Sequence, residues 1–572
     1  MTQTENSATE RQSASLAVRF AWIALILATL YLCYFHNLGA IGFVGPDEPR
    51  YAWIARDMAE TGDWVTPRLY GEPWFEKPPL YYWAAGLSFK LFGVSEAPAH
   101  FPSALAALFA TLAMAWLAWR LYGAETARWL LLLLPTTVGM IGFSHAAATD
   151  MLFAATLTMA MVCAASLVGL VPSSALPAYF ISSSSFTSFF FGFFLGLAVL
   201  AKGPAGIILS GGGVLLWAIF TKRWRDAFRC LHPIAIASFC LTALPWYILC
   251  ARRNPDFLRI FIVEHNFKRY LTPEFQHLQP FWFYIPIVLL AVFPWTVLMF
   301  PAARQAFSEN KNHRPELASM LFFISWPAFV LFFFTASRSK LPGYILPAIP
   351  PLTLLLAKSL ATSARAGETS RRWLTMPLGA SLIAAGFALS MVSGRLPTYT
   401  DIRPAPEVTA IALTAGIGGM VIALCALFRR ANFALFTMVV FLLLLVAQID
   451  NFIAKLDAVL TARTVAAQAT RLWPQYSTNS AATWQLKRSL AYQLNYYSHA
   501  EVPEWKQREP KPKWLLVEPR RAREARVLGF TCLEYLVYPA VIPCKDSDLT
   551  GGLGALGGSG SSGGSDANRQ PR

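Results

Sequence analysis

Runs of about twenty apolar residues, separated by short charged or Pro/Gly-containing stretches, recur from the start of the chain to about residue 450. A helix of that length crosses the ~30 Å hydrocarbon core of a bilayer. Bounded in this way, the pattern predicts thirteen spans, at 16–35, 103–122, 127–143, 148–170, 184–200, 204–220, 231–250, 281–300, 316–336, 341–360, 374–393, 406–428 and 431–450. The first run is too long for the core of a signal peptide and no small-residue cleavage site follows it, so it reads as a retained span.

Two connections are long, 36–102 and 251–280. From Glu48 to Gly62, Tyr51, Ile54, Ala55 and Met58 fall on one helical face, Arg56, Asp57 and Glu60 lie off it, and Gly62 stops the run. This predicts an amphipathic helix lying on the membrane, with Asp47 placed to cap it. Trp64 to Glu76 reads as extended, with a hairpin turn at Gly71-Glu72. Pro78-Pro79 open a second surface helix, Leu80 to Leu91, rich in Tyr and Trp.

Beyond 450 the apolar content falls and charge rises. Short strands at Trp514–Val517 and Tyr535–Tyr538, with helical stretches at 456–472 and 484–496, predict a small α/β domain over 451–550. The run Arg520-Arg521-Ala-Arg523-Glu-Ala-Arg526 reads as a solvated helix face, and the Gly/Ser-rich stretch 551–572 as a disordered tail.

Composition agrees with the spans. The chain is 55% hydrophobic and 14% charged, where a soluble domain carries about 25% charged residues. The net charge of +16 would suggest nucleic acid in a soluble protein. Here the excess collects in alternate connections: Arg120 and Arg128; Lys222, Arg223, Arg225 and Arg229; Arg304, Lys311 and Arg314; Lys358, Arg365, Arg371 and Arg372; Arg429 and Arg430. The positive-inside rule puts those loops and the N-terminus in the cytoplasm. Thirteen spans then put the 451–550 region on the opposite, periplasmic side. The fold class expected is an all-α polytopic membrane protein with juxtamembrane helices in its first outer loop and a small C-terminal α/β domain.

The outer connections do not look like spacers. Asp47, Glu48, Arg50 and Tyr51 follow the first span, Glu76-Lys77 precede the second surface helix, and Asp150, Lys202, Arg338 and Lys340 sit at the membrane edge. A charge at membrane depth is costly unless it is paired or faces water, which makes these residues functional candidates. Helix capping accounts for any one of them, but poorly for acids and bases gathered on one face. Six cysteines lie in or beside apolar runs; Cys532 and Cys544 lie in the C-terminal region, where an oxidising compartment would let them form a disulfide.

Taken together, Asp47-Glu48 after the first span, Phe75-Glu76-Lys77-Pro78-Pro79, Thr149-Asp150, Lys202-Gly203-Pro204, Leu244-Pro245-Trp246, Val263-Glu264-His265 with Arg269, and Lys340-Leu-Pro-Gly-Tyr344 carry a resemblance. In this order over roughly 16–450 the chain resembles the ArnT-like lipid A aminoarabinose transferase branch of the dolichyl-phosphate-mannose–protein mannosyltransferase superfamily, the GT-C glycosyltransferases. The resemblance implies a GT-C fold and inverting transfer of 4-amino-4-deoxy-L-arabinose from undecaprenyl phosphate to lipid A phosphates at the periplasmic face of the inner membrane. Polymyxin resistance would follow from the lowered lipopolysaccharide charge.

In that reaction the leaving group is a lipid phosphate, so basic groups at the membrane surface are required. Lys77, Arg269, Lys202 and Lys340 are the candidates, with the Tyr344 phenol adding a hydrogen bond. Asp47, Asp150 and Glu76 are the catalytic acids. Because a phosphate acceptor is already anionic, Asp47 and Asp150 are expected to bind the amino-sugar or to orient bases, and Asp47 becomes a general base only for a hydroxyl acceptor. Glu48, Arg50 and Tyr51 are further substrate contacts. No cofactor is required, although Glu76 and His265 offer ligands to a divalent ion. The partners expected are the lipid-linked donor, lipid A and membrane lipids, with no nucleic acid and a monomeric chain. A protein hydroxyl or another envelope acceptor is the alternative within the fold. A lipid-linked sugar transporter is the alternative outside it, and predicts mid-bilayer charges and repeated halves that the sequence lacks.

Overall fold

The computed structural model describes residues 2–171, 184–271, 278–300, 302–303, 314–365, 368–393, 406–428, 430–472, 480–532 and 540–547. The chain divides into two compact units, Met1–Asp457 and Ala458–Arg572.

Helices dominate the first unit. Among the described residues eight are long and apolar enough to cross a membrane: Glu96–Tyr122, Thr149–Leu167, Ser184–Lys202, Pro233–Arg253, Glu316–Ala336, Pro342–Ser363, Pro406–Leu427 and Phe433–Leu460. Three shorter apolar helices, Val18–Tyr34, Ala205–Thr221 and Thr375–Met391, accompany them. In chain order the elements that build the site are α1 (Thr2–Tyr34), α2 (Asp47–Thr61), α3 (Leu80–Phe92), α4 (Glu96–Tyr122), α5 (Ala124–Leu133), α6 (Val138–Ser144), α7 (Thr149–Leu167), α8 (Ser184–Lys202), α9 (Ala205–Thr221), α10 (Trp224–Ala227) and α11 (Pro233–Arg253).

Two expected spans are not straight helices. The run at 127–143 is split into α5 and α6, which meet at 61°. Helix α5 ends at Leu133, just ahead of Pro135, and Thr137 starts α6, its hydroxyl accepting from the Met140 amide. The run at 281–300 is α-helical only over Tyr284–Val292 and then becomes a 3-10 turn at Trp295–Leu298. Pro294 lies between them, lacking an amide hydrogen and disfavouring helix at the residue before it. The two breaks support each other: the Trp295 indole donates to Thr136 Oγ1 at 2.9 Å, and the Val138 amide to the Phe293 carbonyl at 3.0 Å.

In the first long connection α2 buries Tyr51, Ala52, Ile54, Ala55 and Met58 and ends at Gly62 in the left-handed region. Asp47 does not cap this helix. Pro46 holds the cap position, no side chain bonds there, and Asp47 is the first helical residue, its carboxylate turned to Arg50. The hairpin also differs by one residue. Strands β1 (Arg68–Leu69) and β2 (Glu72–Pro73) pair Leu69 with Glu72, so the turn is Tyr70-Gly71, with φ of 55° and 88°. A two-residue turn matching strand twist needs positive φ at both positions. Tyr70 accepts that conformation with its ring edge-on to Trp53 at 4.8 Å. The segment is then pinned from several sides: Trp83 Nε1 donates to the Trp64 carbonyl (2.8 Å), Trp246 Nε1 to Val65 (2.9 Å), and Asn254 Nδ2 to Thr66 Oγ1 (3.0 Å). Phe75, Leu200, Trp246, Phe257 and Phe261 form one apolar cluster beneath it. Part of the second long connection, Arg259–Lys268, is a π-helix.

The second unit holds a four-stranded mixed sheet of order β3-β4-β6-β5, from β3 (Ala481–Thr483), β4 (Trp514–Val517), β5 (Phe530–Cys532) and β6 (Ile542–Asp546). Only β3 and β4 run parallel. Strand β4 is buried on both faces, Leu515 and Val517 packing with Phe530 and Ile542, and Trp514 and Leu516 with Leu490 and Leu494. Cys532 and Cys544 stand opposite one another on β5 and β6 and are joined by a disulfide. The strand expected at 535–538 and the 551–572 tail lie outside the described residues.

Candidate active site

Helix α2 opens on Asp47, and Arg50 follows one turn later on the same face. Arg50 is buried and holds three oxygens at once: Nε donates to the Pro46 carbonyl at 2.8 Å, Nη1 to Glu76 Oε2 at 2.9 Å, and Nη2 to Asp47 Oδ1. Its guanidinium also lies over the rings of Trp74 (5.5 Å) and Tyr51 (5.8 Å). The other Glu76 oxygen accepts from Lys77 Nζ at 3.3 Å. One neutral network thus ties the start of α2 to the Phe-Glu-Lys segment.

A second pair stands apart from it. Asp150 is in the first turn of α7 and Lys202 is the last residue of α8, so each charge complements the helix end that carries it. Lys202 Nζ donates to Asp150 Oδ1 and lies 4.6 Å from the centre of the Tyr344 ring and 5.5 Å from that of Phe153. Gly343 makes this possible. A Cβ there would stand 2.8 Å from the Phe143 ring and 3.0 Å from Asp150 Oδ1.

Both groups reach one cavity of about 360 Å³. Glu76, Lys77, Lys202, His265 and Tyr344 line it, and Phe261, Tyr270, Leu271, Phe333 and Phe334 supply an apolar wall. The cavity therefore presents two ammonium groups, each held against a carboxylate, beside a greasy surface.

The remaining candidates sit differently. Glu48 accepts from the amides of Val44 (2.7 Å) and Ala147 (3.1 Å), fastening α2 to the α6–α7 connection, and does not line the cavity. Tyr51 is buried against Tyr81 and Tyr82. Lys340 is buried, donates to the Ser337 carbonyl at 2.7 Å, and is not in the cavity wall. Burial, and then the neighbouring Arg338 charge, lower its pKa from the usual lysine value. The Arg269 side chain lies outside the described residues. Tyr270, Ser337 and Ser339 were not expected in the wall; nothing in the sequence separates them from other loop residues.

The divalent-ion expectation meets only a partial donor set. Glu76 and His265 share the cavity, but the Glu76 oxygens are held by Arg50 and Lys77, and among the described residues no group of three or more His, Cys, Asp or Glu is placed to hold a metal.

Against known proteins, residues 20–261 match the family pattern "Dolichyl-phosphate-mannose-protein mannosyltransferase". An undecaprenyl phosphate-alpha-4-amino-4-deoxy-L-arabinose arabinosyl transferase of Pseudomonas aeruginosa is 31% identical over 391 residues, 67% of this chain and 67% of that protein. The chain belongs to this arabinosyl transferase family. A family member from Edwardsiella ictaluri is 33% identical over 313 residues, 54% of each chain, so the match spans about half the length of such relatives. The fold of ArnT from Cupriavidus metallidurans, solved bound to undecaprenyl phosphate, superimposes with a TM-score of 0.72 at 22% identity, covering 92% of this chain and 98% of that one. That likeness establishes the fold: a helical, multi-span membrane protein of GT-C type.

Proposed function

We propose that this family member transfers 4-amino-4-deoxy-L-arabinose from undecaprenyl phosphate to lipid A phosphates at the periplasmic face of the bacterial inner membrane. Lowering lipopolysaccharide charge in this way would confer resistance to polymyxin and other cationic peptides. The observation that carries the reading is the cavity in which Lys77 and Lys202 are presented beside Tyr344 and an aromatic wall. An anionic headgroup with an apolar tail is the ligand such a surface fits.

The reaction is one displacement. An acceptor phosphate oxygen forms a bond to the anomeric carbon, and the bond from that carbon to the undecaprenyl phosphate oxygen breaks, its electron pair leaving with the phosphate. Attack opposite the leaving group inverts the centre. No proton has to be removed from an acceptor that is already an anion. Lys77, Lys202 and the Tyr344 hydroxyl stabilise the departing phosphate; Lys340 adds its charge from behind the wall, next to the lining Ser339, and Arg269 is a further base on the 251–280 connection. Asp150 and Glu76 hold Lys202 and Lys77 in place, and half-exposed Asp47 is free on its outer side to meet the cationic amino group of the sugar. Counted with the eight long helices, the three shorter apolar helices and the two broken runs would make thirteen crossings in this reading, with the N-terminus in the cytoplasm and the second unit in the periplasm. The Cys532–Cys544 disulfide supports that side, because disulfides persist in oxidising compartments. The chain acts as a monomer.

The test is reconstitution of purified protein with the lipid-linked aminoarabinose donor and, in separate reactions, lipid A or a hydroxyl-bearing protein acceptor. Transfer to lipid A alone is expected. Transfer to the protein alone would keep the fold and replace the acceptor.

A further inference from the structure

A second cavity, of about 420 Å³, lies further along α9 and takes no part in the chemistry above. Phe191 and Leu195 of α8, Gly211 and Leu215 of α9, Trp224 of α10 and Phe239 of α11 are in its wall, and among the described residues no charged side chain is. The Ser210 hydroxyl at its edge is turned back onto the Ile207 carbonyl of its own helix, at 3.3 Å. The space suits an apolar ligand without a headgroup.

One face of α9 joins the two cavities. Pro204 and Ile208 border the first, and Gly211 and Leu215 the second. Spacings of four, three and four residues put all four on a single line of the helix. From Pro204 to Leu215 that line rises about 16 Å, more than half of the ~30 Å hydrocarbon core. Ile207, Ile208 and Leu215 are exposed along it. At Gly211 an added Cβ would meet nothing within 4 Å, whereas at Gly212 it would run into the Phe329 ring. The glycine leaves an open notch where the track enters the second cavity.

We propose that this second cavity receives the distal part of the donor's polyprenyl chain, laid along α9 from a phosphate held in the first cavity. The proposal rests on the reading of the first cavity as the donor site. A chain reaching past the bilayer midplane distinguishes a long polyisoprenoid from the acyl chains of a single leaflet. Each isoprene unit buried there adds apolar contact that a short prenyl phosphate cannot make.

Native mass spectrometry of the detergent-solubilised full-length protein, titrated with undecaprenyl phosphate and with farnesyl phosphate, tests this. The parent should hold the long lipid more tightly. In Gly211→Leu, affinity for undecaprenyl phosphate should fall by about tenfold while that for farnesyl phosphate is unchanged. Leu215→Trp, which fills the same space from the next turn, should behave alike, and farnesyl phosphate binding reports that each variant is folded. Unchanged binding of the long lipid by both variants, equal losses for both lipids, or a parent indifferent to chain length would each overturn the proposal. A parent that binds neither lipid would overturn the reading of the first cavity along with it.

Discussion

Arg50 Nη1 donates to Glu76 Oε2 at 2.9 Å, with 4% and 10% of the two side chains exposed. Twenty-six positions separate them in sequence, and their contact fixes the start of α2 against the segment that carries Lys77. Removing one partner from a buried pair leaves the other charge without compensation, a far greater loss than the pair's own net worth.

Arg50→Ala is therefore expected to lower stability by about 3–5 kcal/mol and to abolish transfer. Arg50→Lys should recover part of the stability, but not the simultaneous contacts to Pro46, Asp47 and Glu76, because an ammonium lacks the guanidinium fork. Thermal unfolding in detergent, with transfer assayed on the same preparations, measures both. An Arg50→Ala protein as stable as the parent would show that the network contributes little.

Gly343→Ala addresses the second pair. Its new methyl would press on the Phe143 ring and on Asp150 Oδ1, displacing the carboxylate from Lys202. Transfer should drop by up to about 10²-fold, the loss that a misplacement of about 1 Å can cause. The overpacking should cost about 1–3 kcal/mol. Full activity at Gly343→Ala would mean that the position of Asp150 is not critical.

Lys340 gives a pH prediction with a definite sign. Its pKa is lowered in the folded protein by burial and then by Arg338, so between that lowered value and the ordinary lysine value of about 10.4 the unfolded chain binds the extra proton. Stability from this group therefore rises with pH across that window. Transfer moves the opposite way if protonated Lys340 assists the phosphate, falling as pH climbs through the lowered pKa. Lys340→Arg should move that alkaline fall to higher pH, since a guanidinium stays charged. An identical pH profile in parent and variant would exclude the role.

The Cys532–Cys544 bond ties β5 to β6. Cys532→Ser or Cys544→Ser should destabilise the second unit by about 2–3 kcal/mol, a value typical for a short closed loop. In intact cells neither thiol should react with maleimide until a reductant is added. Ready labelling without reductant would place this unit in a reducing compartment.

Much of this was legible along the chain. The buried face of α2 followed from spacing alone, because a surface helix of that length shows its period plainly. Asp150 and Lys202 stood out because charge at membrane depth is rare, yet their partnership across fifty-two residues was invisible until α7 and α8 packed together. From the sequence Arg50 reads as a substrate contact. Its work as a clamp depends on Glu76 arriving from beyond a hairpin whose Tyr70 adopts a backbone conformation that sequence disfavours. Span 281–300 failed for a readable reason, Pro294, which the hydrophobic run outweighed. The three-residue strands β3 and β5 carry too little pattern to be found without their neighbours.

Mass spectrometry of lipid A from cells expressing the parent protein, or its Asp47→Ala, Asp150→Ala or Lys77→Ala variants at equal abundance, tests the central claim most directly. The parent should add an amino-pentose to lipid A phosphates, and each variant should leave lipid A unmodified. Lipid A that stays unmodified with the parent expressed and its lipid-linked donor supplied would contradict the account.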